Sequence, residues 1–147
     1  MKLRKKARKL IRCIPSLRAL DDRARDEAVR SETQPFPGSR AYWEERYANG
    51  GDSGVGSYSK FAEFKAEILN DFVASNSIDT VIEFGCGDGN QLSLSQYPSY
   101  LGFDISATAV DVCLHKFAGD SSKTFKTLDL YAGEKAELAL SLDVIFI

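Results

Sequence analysis

Asp79-Thr80-Val81-Ile82-Glu83-Phe84-Gly85-Cys86-Gly87-Asp88-Gly89-Asn90 decides how the rest of the chain reads. Thr80 to Phe84 is a short β-branched and aromatic run, of the kind that forms a central strand of a parallel sheet. It carries an acid near its end, then breaks into a loop with glycine at every second position. Three glycines so close together oppose both helix and sheet. They do let backbone N–H groups approach a ligand at the carboxyl end of a strand, where open α/β sheets bind their ligands. Glu83, Gly85, Cys86, Gly87 and Gly89 are the first candidate binding residues.

A dinucleotide fingerprint, G-x-G-x-x-G, needs a third glycine or alanine that packs the helix on the strand. Counting from Gly85, that place holds Asn90. The pattern present, Glu83-x-Gly85-x-Gly87-x-Gly89, resembles the first motif of the class I, Rossmann-like methyltransferases that use S-adenosylmethionine (SAM). The resemblance implies an α/β three-layer sandwich with a mainly parallel sheet. It also implies that Glu83 helps hold the methionine end of SAM and that the glycine loop passes under the sugar and amino acid.

Tyr100-Leu101-Gly102-Phe103-Asp104 reads as a second strand ending in an acid, about 20 residues after Glu83, the spacing of a ribose-binding carboxylate. An ionised carboxylate only accepts hydrogen bonds, so it can take both from adjacent ribose hydroxyls. The resemblance extends through Asp104-Ile105-Ser106, with Ser106 placed to cap the next helix. Thr124 to Asp129 reads as a third strand. By the same resemblance Asp129 accepts from the adenine amino group and the Leu130 N–H adds a second contact.

Ahead of the glycine loop, Ala41-Tyr42-Trp43-Glu44-Glu45-Arg46-Tyr47 predicts a short helix. The nine residues from Asn49 to Ser57 hold four glycines and read as loop. A W-E-x-R-Y segment followed by such a loop is similar to the part of these methyltransferases that folds over SAM, which makes Trp43, Arg46 and Tyr47 candidate lid residues. The alternative is that Trp43 and Tyr47, four apart on one helical face, are core. Ser57 to about Ser75 predicts a helix whose Phe61, Phe64, Ile68 and Phe72, flanked by Leu69 and Val73, form one apolar face toward the sheet. Gln91 to Gln96 predicts a short crossover helix stopped by Pro98, its dipole aimed at the ligand. Ser106 to about Phe117 predicts another, with Ala109, Val110, Cys113, Leu114 and Phe117 inward. His115, the one histidine, falls off that face and reads as a surface residue. Asp143 to Ile147 reads as a fourth strand, and the chain then reads as broken off inside that strand.

The chain of 147 residues is long enough for one domain with a core. Three cysteines fit no metal-ligand spacing, so free thiols in a reducing, cytoplasmic compartment are expected and no metal site is assigned. Charge is divided unevenly. Residues 1–40 carry 12 Lys/Arg against 5 Asp/Glu, and residues 41–147 carry 7 against 16. Residues 1–40 therefore read as a basic N-terminal extension and linker, and 41–147 as the SAM-binding domain. Leu3, Ala7, Leu10, Ile11 and Ile14 repeat at helical spacing among basic residues, which suits weak contact with an anionic membrane surface. Nucleic acid is not the expected partner.

The expected activity is methyl transfer from SAM to an acceptor, whether a small molecule, a glycan or a lipid, that the sequence does not choose. Such transfer needs mainly alignment, and no residue stands out as a catalytic base. Two other readings stay open: a non-catalytic SAM- or nucleotide-binding remnant acting through its basic tail, and an NAD enzyme, against which Asn90 counts.

Overall fold

The computed structural model describes residues 35–144. The amphipathic reading of residues 1–20 lies outside them, as do the last three residues of the predicted fourth strand. The chain divides between Phe36 and Pro37, and every helix and strand of the described residues belongs to the second unit.

Four strands form one parallel sheet: β1 (Thr80–Phe84), β2 (Ser99–Asp104), β3 (Lys123–Thr127) and β4 (Leu138–Leu140), in the spatial order β3-β2-β1-β4. Among the described residues three α-helices accompany them: α1 (Ser39–Ala48), α2 (Ser59–Ser75) and α3 (Ala107–Lys116). The order reverses direction at β1, so the crevice at its carboxyl end is the switch point where a sheet of this kind opens. The glycine loop sits there.

The pleat puts Val81 and Glu83 of β1 on the same face as their partners Tyr100 and Gly102 of β2 and Leu138 and Leu140 of β4. Against that face pack Val73 of α2 and Val110 and Cys113 of α3, with Leu92, Tyr97 and Phe125 closing the cluster. Tyr97, Tyr100 and Phe125 form a run of rings, their centroids 5.9 Å apart at each step. On the opposite face Phe84 stacks on Phe103 at 5.7 Å, and Tyr131 meets both rings edge-on.

Two helix ends have a clear local cause. Ser106 caps α3 by accepting from the Ala109 N–H. Glu44 of α1 then accepts from the Ser106 and Thr108 hydroxyls and the Thr108 N–H, tying α1 to the start of α3. Those hydroxyls hold the Glu44 carboxyl below its usual range. A carboxylate at a helix N-terminus is favoured by the free N–H groups there. At the end of α2, Ser77 takes a left-handed φ of 53° and the chain turns into β1.

Four sequence expectations need correction. The face that α2 buries is Ala62, Ala66 and Val73, with Leu69 half-buried. Phe61, Phe64, Ile68 and Phe72 are 46–61% exposed. Consecutive residues lie about 100° apart around a helix, so the two stripes are neighbours. Ala62 and Ala66 are buried where α2 meets the turns at 55–57 and 92–94, and Val73 with Leu69 reaches the core on the sheet. Substituting Phe64→Ala is expected to change stability by less than about 0.5 kcal/mol, and Val73→Ala to lower it by about 2 kcal/mol. Chemical unfolding of the two variants checks this, and the reverse ranking would restore the predicted face.

The expected crossover helix at Gln91–Gln96 is a single 3-10 turn, Leu92–Leu94. It carries no helix dipole of consequence. Leu114 is 48% exposed and not inward. The fourth strand is Leu138–Leu140, not Asp143–Ile147: Asp143 has a left-handed φ of 56°, which breaks an extended strand. Glu137 fixes the register of β4 by accepting from the Asp79 and Thr80 N–H groups at 2.6 and 3.0 Å.

Candidate cofactor cavity

The glycine loop leaves β1 by a sharp turn. The Gly85 and Cys86 N–H groups both donate to the Phe103 carbonyl, at 2.7 and 3.0 Å. This folds the loop back over the end of β2 and opens a cavity of about 280 Å³ beside it. Glu83, Gly85, Cys86, Gly87, Asp104 and Ile105, six of the binding candidates named from the sequence, line one wall. Trp43, Tyr47, Ser53 and Ser57 line the other, with Leu128, Leu142 and Val144 at the rim side.

Asp104 is the best-defined group in the cavity. One carboxylate oxygen accepts the Gly87 N–H at 2.9 Å and the other the Ser106 N–H at 2.9 Å. Two backbone bonds hold the carboxylate plane fixed and leave further lone pairs for a ligand. Burial pushes its pKa up, against the pull of those N–H groups. Glu83 is deeper still. Burial raises it to about 7, while the Tyr100 hydroxyl, donating at 2.6 Å, and the Lys65 charge act the other way.

The glycines do different work. A Cβ on Gly87, at φ 56°, would sit 2.3 Å from the Ser53 hydroxyl oxygen and 3.1 Å from that of Tyr47. Gly87 is thus glycine because the 49–57 segment presses on it. Gly89 does not line the cavity; its Cβ would meet the Phe117 ring at 2.7 Å and the Cys113 sulfur at 3.0 Å. The Cys86 and Cys113 thiols are free. Their mutual hydrogen bond, followed by burial, pushes the Cys86 thiol well up, which leaves it a poor nucleophile.

Trp43 stacks on Tyr47 at 5.7 Å, and both line the cavity. Arg46 does not line it: its guanidinium donates to the Asp52 carbonyl and carboxylate and lies 5.8 Å over the Trp43 ring. Asp129 and Leu130 also fall outside the lining. They sit in an exposed 3-10 turn, Leu128–Leu130, where Arg40 approaches the Asp129 carboxylate at 3.9 Å. His115 is exposed, and one of its ring nitrogens lies 2.7 Å from the Asp111 carbonyl oxygen.

Sequence reasoning missed Asp88. Buried at 8% exposure, it accepts from the Ser53 N–H and the Tyr58 hydroxyl at 2.9 and 2.7 Å, and from the Asn90 N–H at 2.9 Å. Its own N–H donates to the Ser53 hydroxyl at 2.9 Å. Burial works to raise its pKa, but these donors outweigh it and hold the carboxyl below its usual value. Asn90 and Gln91 continue the seam, donating to the Ser57 and Ala62 carbonyls at 2.7 and 3.1 Å.

No protein-family model and no curated protein matches the chain. Solved structures do. The magnesium protoporphyrin IX methyltransferase ChlM from Synechocystis PCC 6803, with bound S-adenosylhomocysteine (SAH), is similar over 71% of this chain and 57% of its own. The identity is 23% and the TM-score 0.55. The same enzyme with bound SAM is similar over 76% and 65%, at 17% identity and a TM-score of 0.53. The chain thus spans less than two thirds of the length of these structures. At such identity the likeness is one of fold.

Proposed function

We propose that this chain binds SAM and serves methyl transfer from it. Its parallel sheet with flanking helices is the Rossmann-like methyltransferase fold. The observation that carries this reading is Asp104, fixed by two backbone N–H groups in the same cavity wall as the glycine loop. Its remaining lone pairs suit a pair of ribose hydroxyls. Glu83, buried in the same wall, suits the cationic amino-acid end of such a ligand. Leu128, Leu142 and Val144 give the apolar surface an adenine ring needs. Asn90 stands where a dinucleotide site wants glycine, and spends its amide on Ser57.

When bound, SAM supplies an activated methyl group on a sulfonium. The chain's own part is to hold and align that ligand and keep water from it, with Trp43 and Tyr47 forming the covering wall. Alignment alone can supply about 7–11 kcal/mol of a barrier. No acceptor is assigned, and no base.

Calorimetric titration with SAM and SAH, beside NAD, tests the reading. Saturable binding of SAM and SAH but not NAD is expected. Asp104→Ala is expected to weaken it about 10- to 100-fold, the loss of one or two hydrogen bonds to a charged group. A folded chain that binds neither SAM nor SAH would overturn it.

A further inference from the structure

The seam between the glycine loop and the 49–57 segment has a centre. Asp88 and Ser53 exchange a reciprocal pair of hydrogen bonds: Ser53 N–H to the Asp88 carboxylate, and Asp88 N–H to the Ser53 hydroxyl, each 2.9 Å. The Tyr58 hydroxyl donates to the same carboxylate oxygen, and the Tyr47 hydroxyl lies 3.0 Å from the Ser53 hydroxyl. Tyr47, Ser53 and Ser57 are all cavity wall. Tyr47 belongs to α1; Ser53 and Ser57 belong to residues 49–57, whose other polar ties are Arg46 on Asp52 and the Asn90 amide on the Ser57 carbonyl. Residues 49–57 are short of regular structure, carry left-handed glycines at 50 and 54, and bury none of their own side chains. A segment with few apolar contacts opens at little cost unless something polar pins it.

We propose that Asp88 is a positioning residue: its carboxylate latches residues 49–57 onto the glycine loop, and the latch must break before the occupant of the cavity can leave. The inference rests on the reading that the cavity holds SAM or SAH, but the latch itself belongs to the free chain. Its strength comes from charge. Charge-assisted hydrogen bonds are about twice as strong as neutral ones; of the three that the Asp88 carboxylate accepts, those from the Ser53 N–H and the Tyr58 hydroxyl cross the seam, and that from the Asn90 N–H stays within the glycine loop. The close fit of Gly87 against Ser53 and Tyr47 has the same origin, since no side chain at 87 would let the latch shut. A residue in a cofactor motif is thereby used to bind protein, not ligand.

Two measurements on the purified chain test this. The first is amide hydrogen exchange without ligand. In Asp88→Ala, residues 50–57 are expected to exchange at least about tenfold faster while β1 and β2 stay protected, with Asp88→Asn in between. The second uses SAH as probe and the single tryptophan, Trp43, as reporter in the cavity wall. Its dissociation rate is expected to rise about tenfold in Asp88→Ala and less in Ser53→Ala. Unchanged exchange over 50–57 in a folded Asp88→Ala overturns the proposal. So does an equal rise across the sheet, which would make Asp88 an ordinary stability residue. Failure of the unsubstituted chain to bind SAH would instead remove the cofactor reading and leave the exchange result to decide the latch.

Discussion

Replacing Glu83 by glutamine is expected to stabilise the protein at pH 8 by on the order of 3 kcal/mol and to leave it unchanged at pH 4. Glu83 is 4% exposed, with Tyr100 as its hydrogen-bond donor. Burial raises its pKa from 4.5 to about 7. Between those values the folded chain holds a proton that the unfolded chain has released. Stability therefore falls as pH rises through that window, and stays lower above it. Each unit of displacement is worth about 1.4 kcal/mol. The isosteric amide keeps an acceptor for Tyr100 and has nothing to ionise, so it escapes this loss. Urea unfolding of both proteins at pH 4 and pH 8 measures the difference. A glutamine variant less stable at pH 8 would mean that the carboxylate is ionised and paired in the folded state.

Gly89→Ala is expected to lower stability by about 2–5 kcal/mol without any ligand present. A left-handed conformation costs an alanine about 1–2 kcal/mol, and Gly89 has φ 68°. The added methyl would also meet the Phe117 ring and the Cys113 sulfur. Overpacking a filled core adds roughly 1–3 kcal/mol. The equivalent methyl on Gly85 meets Val144, which is 48% exposed and can move aside. Urea unfolding of the two alanine variants is expected to rank Gly89→Ala well below Gly85→Ala. Equal stabilities would mean that α3 can retreat from the loop.

What the sequence made legible was local. β1 and β2 are marked by their own composition, and the acid ending each strand lies where its spacing puts it. Ser106 caps α3 through a bond three residues long. The face of α2 was not legible, because Phe61-Phe64-Ile68-Phe72 and Ala62-Ala66-Leu69-Val73 follow nearly the same helical spacing one residue apart. Large side chains dominate any reading by hydrophobicity, whereas close approach to neighbouring backbone favours alanine. β4 was misplaced for a related reason. Asp143 to Ile147 is the more β-branched run, but Leu138 to Leu140 has β1 as its partner. Of the candidate site, the wall built by β1, β2 and the glycine loop was readable. Asp88, Ser53 and Tyr58 were not, since their bonds join residues 30–35 apart in the chain and no motif announces them. Asp129 looked like the end of a strand and lies instead in an exposed turn.

The placement of β4 beside β1 also sets the order in which the chain can assemble. Glu137 meets Thr80 across 57 residues, whereas β1, β2 and β3 follow one another in sequence as they do in space. Closing the longer loop sacrifices more chain entropy before any contact repays it. During synthesis β2 and β3 can join β1 as they emerge, leaving Val81, Ile82 and Glu83 with a bare edge until Leu138–Leu140 is made. For that interval the centre of the finished sheet is its border, open to pairing with another nascent chain. Slower elongation between Asp129 and Glu137 would prolong that exposure, so the yield of soluble protein should depend on how quickly those few residues are translated.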